Sequence, residues 1–138
     1  MRIFCYGLAF MASAAGACDC PMPLNPSEEY LAEEFENASV VFVGLPISLE
    51  KHDGMDVLVF EVREALKGVE SNFITVTTQD TNEVGSCGFN FELNHPYFVY
   101  GYQPPHGDIF TTHCSYTQSS IPEPSVLTVT RKMALGEK

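Results

Sequence analysis

Tryptophan is absent, and basic residues are scarce: 7 Lys+Arg stand against 18 Asp+Glu in 138 residues, a formal net charge of −11. So acidic a chain is a poor ligand for nucleic acid, whose binding relies on Lys and Arg displacing phosphate counterions. The same deficit argues against docking on anionic membranes. There is no Gly-rich phosphate loop, no H-E-x-x-H and no G-x-S-x-G, and His52, His95, His106 and His113 are scattered without the i, i+4 spacing of a helical zinc pair. No catalytic machinery is legible and no cofactor is implied, so the chain does not read as an enzyme. Beyond the first 17 positions no stretch approaches the ~18 apolar residues of a membrane span. At 45% hydrophobic and 12% aromatic, however, it is too apolar to remain a disordered acidic tail. Its length suits one domain.

The opening segment indicates the compartment. Met1 and Arg2 precede an uncharged run, residues 3–17, that ends Ala15-Gly16-Ala17. A charged start, an apolar middle and an A-x-A ending make a secretory signal. Cleavage after Ala17 would remove 17 of the 138 residues, leaving 121 that begin at Cys18. The five cysteines then become four, an even number that reads as two disulfides in an exported protein. Acylation of Cys18 is the competing fate and the only route to a membrane, but Ala15-Gly16-Ala17 lacks the upstream Leu or Val usual for it.

Pro21, Pro23 and Pro26 make the mature start extended. Asn25 reads as a helix cap, with Pro26 at the first helical position and acids in the first turn, opening a three-turn helix. Tyr30, Leu31, Phe35 and Ala38 share its apolar face; Glu28, Glu29, Glu33, Glu34 and Glu36 mostly take the solvated one. Strands are expected over residues 40–49, 56–66, 73–78, 97–102 and 109–114, with a turn at 51–54 and a loop at 80–86. In the second strand Leu58, Phe60 and Val62 face one side; Val57, Val59, Glu61 and Arg63 face the other. Five short strands after one helix, without βαβ alternation, predict an all-β fold with a minor helix, closed as a five-stranded OB-like barrel. Residues 18–116 form this domain; 117–138 form a tail whose stretch 125–135 reads as helix or strand.

Cys18-Asp19-Cys20 is the specific feature. A Cys18–Cys20 bridge would close a very tight ring, so each is expected to bond Cys87 or Cys114, pinning an extended N-terminus to the barrel. Free thiols at Cys18 and Cys20 would instead suggest redox or soft-metal chemistry. On a strand, His113 and Cys114 would point to opposite faces, leaving no Cys/His pair.

Cys18-Asp19-Cys20-Pro21 after a signal peptide resembles the start of the tissue inhibitors of metalloproteinases and the related netrin-like domains. The likeness continues through Phe35-Glu36-Asn37-Ala38-Ser39-Val40-Val41-Phe42, Phe60-Glu61-Val62, Leu66-Lys67-Gly68, Ser86-Cys87-Gly88, Tyr97-Phe98-Val99 and Thr111-Thr112-His113-Cys114. It covers about residues 18–116. The resemblance implies an OB-like barrel and the pairings Cys18–Cys87 and Cys20–Cys114. It further implies a secreted, monomeric inhibitor whose free Cys18 amine and carbonyl chelate the catalytic zinc of a metalloprotease. Asp19, Cys20, Pro21, Ser86, Cys87 and Gly88 would complete the ridge entering the enzyme's cleft. Two positions depart from the family pattern: Glu36 where a cysteine is usual, and Asp19 where Thr or Ser normally enters the specificity pocket. Asp19 also leaves room for a second expectation, a non-inhibitory extracellular binding module on the same fold.

Overall fold

The computed structural model describes residues 18–120 and 122–137; the expected signal segment and Cys5 lie outside them. The fold is mostly β: four antiparallel strands in the order β3-β2-β1-β4, with two short helices. The elements are α1 (Glu28–Asn37), β1 (Val40–His52), β2 (Met55–Lys67), β3 (Phe73–Gln79), β4 (Tyr97–Gly101) and α2 (Pro124–Ala134).

The run Val40-Val41-Phe42-Val43 looks continuous in sequence because both faces of β1 are covered. Val41 and Val43 join Leu31, Ala38, Phe98, Tyr100 and Leu127 in one core under the helices. Val40 and Phe42 join Leu58, Phe60, Val76, Phe91 and Val99 in a second core on the opposite face. There Phe60 meets Phe42 and Phe91 edge-on, with ring centroids 5.4 and 5.2 Å away, the arrangement aromatic quadrupoles favour. Three register irregularities in the β1–β2 ladder, between Val41/Phe42, Val43/Gly44 and Pro46/Ser48, bend the sheet into a curled half-barrel.

Several expectations change. The β1–β2 turn is tighter than residues 51–54: Lys51 and His52 still pair with Asp56 and Met55. Only Asp53 and Gly54 turn, both with positive φ (49° and 75°), the backbone that matches a two-residue hairpin to strand twist. The helix cap is Ser27, whose hydroxyl accepts from the Tyr30 amide at 3.1 Å, so α1 begins two residues after Pro26. Residues 109–114 form no strand. Phe110 makes one bridge to Thr77 and one to Tyr102, without extending either ladder. Pro104, Pro105 and Gly107 feed it from a loop, and a turn at 113–116 cuts it short. The tail is not a loose appendage: Gln118 bridges Phe98, and α2 buries Leu127 and Thr130.

Lys67 and Gly68 fix α1 to the sheet. Lys67 Nζ donates to the Phe35 and Glu36 carbonyls at 2.6 and 2.9 Å, satisfying the open C-terminal end of α1. Gly68 has φ +66°, and a Cβ there would overlap the Ser39 carbonyl.

α2 is tied to β2 by Arg131, whose Nε and Nη2 donate to the two Glu64 carboxylate oxygens at 2.6 and 2.9 Å. The Arg131 hydrogen bonds hold the Glu64 carboxyl below its ordinary range. An acid depressed in the folded state stabilises above its unfolded pKa, near ~4.3, and loses that contribution as pH falls through the lower folded value. Exposed pairs of this kind are weak. Arg131→Gln is therefore expected to speed amide exchange across α2 a few-fold at pH 7. The difference from the native chain should vanish at acid pH, where Glu64 is protonated.

Candidate functional site: the disulfide-pinned N-terminal segment

Residues 18–27 contain no helix or strand, as three prolines dictate. Order comes from two covalent ties. Cys18 is bonded to Cys87 and Cys20 to Cys114, with Cα–Cα distances of 5.6 and 5.2 Å. Of the three connectivities four cysteines allow, this one fastens neighbouring residues of one extended segment to two separate loops. Asp19 projects between the bridges and is exposed, as is Pro21; Cys18 and Cys20 are half-buried. Exposure also peaks at Leu24 and Val84, apolar side chains at 99% and 105% that flank the bridged region in sequence.

The loop carrying Cys87 is held from below. Lys51 Nζ binds Asp56 Oδ1 at 2.8 Å and Asp80 Oδ2 at 2.9 Å, joining the β1–β2 hairpin to the root of the loop. Hydrogen bonds from Lys51, then from Asn82, depress the Asp80 carboxyl, while Asp56 and Asp80 raise the Lys51 ammonium. Asp80 Oδ1 also accepts from the Asn82 amide at 2.9 Å, a local turn that starts the loop. At its far end the Cys87 amide donates to Gln79 Oε1 at 2.8 Å, Gly88 N to Ser86 Oγ at 3.0 Å, and Phe89 N to Thr78 Oγ1 at 2.9 Å. Gly88 is required: a Cβ there would overlap the Gln79 carbonyl. Residues 86–88 thus lie flat along the end of β3.

The second loop is anchored by buried threonines. Thr111 Oγ1 donates to the Tyr100 carbonyl at 2.9 Å and meets Thr117 Oγ1 at 2.9 Å. Thr117 Oγ1 in turn accepts from the Tyr100 amide at 3.0 Å. Both residues are essentially inaccessible, at 0% and 1%. Between them, Thr112 Oγ1 accepts from Cys114 N at 3.1 Å and Ser115 Oγ from Thr112 N at 3.0 Å. The two loops are also joined directly, by a 2.9 Å hydrogen bond from His113 N to the Cys87 carbonyl.

All seven ridge candidates (Cys18, Asp19, Cys20, Pro21, Ser86, Cys87 and Gly88) fall on two segments linked by the Cys18–Cys87 bridge, with Cys114 beneath Cys20. A groove of ≈ 470 Å³ runs beside them, lined by Cys20, Met22, Gly88, Phe89 and His113 among others. The opposite-face expectation for His113 and Cys114 fails. Alternation holds on a strand, whereas the turn here puts the His113 ring and the Cys114 sulfur on one side, beside Cys20. Among the other histidines, His95 Nε2 hydrogen-bonds the Ser119 carbonyl at 2.8 Å, while His52 and His106 are exposed. The acidic face of α1 is exposed except at Glu34, which accepts from the Tyr102 hydroxyl at 3.2 Å.

The chain matches no family model and no curated protein.

Proposed function

We propose that this chain is a secreted inhibitor of zinc metalloproteases, acting through the N-terminus that cleavage before Cys18 would create. The observation carrying the reading is the Cys18–Cys87 bridge. It holds the would-be terminal residue against Ser86–Gly88, with Asp19 exposed beside it. An α-amine has a pKa near ~8, so its lone pair is available at small cost, and a catalytic zinc keeps one position open for water. Chelation by the Cys18 amine and carbonyl displaces that water and removes the nucleophile. The bridge fixes both chelating atoms beforehand, lowering the ordering cost of binding. In this reading the half-barrel is the frame of an OB-like closed barrel, with residues 109–111 as its reduced fifth stave. Among the described residues no helix is long and apolar enough to cross a membrane. The two disulfides suit an oxidising, extracellular or periplasmic setting.

Asp19 sets the target. An unpaired carboxylate is costly to bury in an apolar pocket, so the matching protease carries a Lys, an Arg or several hydrogen-bond donors beside its zinc. The same carboxylate favours a second reading, a binding module on this fold that inhibits nothing. Replacing Asp19 by Thr separates the two. For the inhibitor, Asp19→Thr weakens binding to a cation-lined protease about tenfold or more, the loss of a charge-assisted contact. For the module, the native chain inhibits none of the proteases tested and Asp19→Thr creates inhibition.

A further inference from the structure

The Cys20–Cys114 bridge has a neighbour that its structural role does not use. A ring nitrogen of His113 and the sulfurs of Cys20 and Cys114 all lie within 4.8 Å of one another. The His113 ring is exposed and has no side-chain partner among the described residues. We propose that these three residues form a redox-gated metal site: closed as a disulfide when oxidised, and a Cys2His site for zinc when that one bridge is reduced. Two thiolates and an imidazole are the ligand set zinc prefers, leaving a fourth tetrahedral position open. The groove beside them gives that position access to solvent.

The chemistry needs a dithiol reductant. It passes two electrons and two protons to the bridge and leaves as its own disulfide; the S–S bond breaks and Cys20 and Cys114 become thiols. Zinc then displaces both thiol protons, forming two Zn–S bonds and one Zn–N bond. The ligands stay together after the bridge opens because other ties hold each one. Cys20 is two residues from Cys18, which remains bonded to Cys87. The Cys87 carbonyl accepts from the His113 amide, and buried Thr111 and Thr117 clamp both sides of the turn bearing Cys114. The order of reduction follows access at one residue: Cys114 is exposed, whereas Cys18, Cys20 and Cys87 are all half-buried. This site does not depend on protease inhibition.

The test uses the folded chain beginning at Cys18, treated anaerobically with limiting dithiothreitol, then desalted. Part of the sample is alkylated and mapped; part is titrated with Co2+ as a spectroscopic stand-in for zinc. Cys20 and Cys114 should be labelled well before Cys18 and Cys87. One equivalent of Co2+ should bring a thiolate-to-metal charge-transfer band and tetrahedral d–d bands, neither seen with oxidised protein. His113→Ala, an exposed change that leaves the bridges intact, should weaken Co2+ binding about tenfold or more. Labelling of Cys18 and Cys87 first or equally fast overturns the proposal. So does a cobalt spectrum and affinity unchanged by His113→Ala, or the absence of cobalt binding to the reduced chain.

Discussion

One alanine added ahead of Cys18 is expected to raise the inhibition constant for the target protease by about a thousandfold or more. The addition turns the terminal amine into an amide, which has no lone pair to give a metal. It also places a residue where the zinc ion must sit, against a segment that two bridges prevent from moving aside. A thousandfold loss is about 4 kcal/mol, at ~1.4 kcal/mol per factor of ten. Stability should be unchanged, because both bridges and both cores keep their partners. The comparison is clean only if both proteins melt together, so thermal unfolding accompanies the inhibition assay. Equal potency with and without the alanine removes Cys18 chelation from the account.

The second large effect concerns the Cys18–Cys87 bridge itself. Its cysteines are 69 residues apart and those of its companion 94. In the chain-entropy picture loops of this size are worth about 4–5 kcal/mol each. The doubly substituted Cys18→Ser, Cys87→Ser chain should therefore melt roughly 12–20 °C lower, for a body of this size. Inhibition should fall further than stability. At a temperature where the variant is fully folded, residues 18 and 19 are no longer held against residues 86–88, and the preorganisation that favours chelation is gone. The Cys20→Ser, Cys114→Ser chain should lose similar stability but keep more inhibition, since Cys18 stays anchored. Equal inhibition by both variants at that temperature would separate the bridge from function.

Much of the fold is legible in sequence because local signals agree with tertiary demands. Leu58 and Phe60 are buried as the period-two pattern predicts, and Val62 packs against the same core. Lys67-Gly68 marks the end of β2, although the reason is tertiary: Lys67 closes α1 and Gly68 passes under Ser39. That residues 109–114 form no strand is not legible, since they have strand-forming composition yet meet each sheet edge through single bridges. Nothing in a 3.6- or 2-residue period reports that pairing stops after one bridge on each edge. The cap is Ser27 rather than Asn25, and composition does not choose between them, because both residue types cap well. At the N-terminal segment the four cysteines are legible in sequence, and their assembly is not. Spacing alone leaves the pairing open, and strand-like composition does not reveal the turn that brings His113 beside Cys114.

The most direct measurement is a titration of a zinc endopeptidase whose pocket beside the metal carries a Lys or Arg. The inhibitor is the chain beginning at Cys18, its amine verified free by intact mass. Activity should fall linearly and reach its floor at one inhibitor per enzyme. Full activity at tenfold molar excess would contradict it.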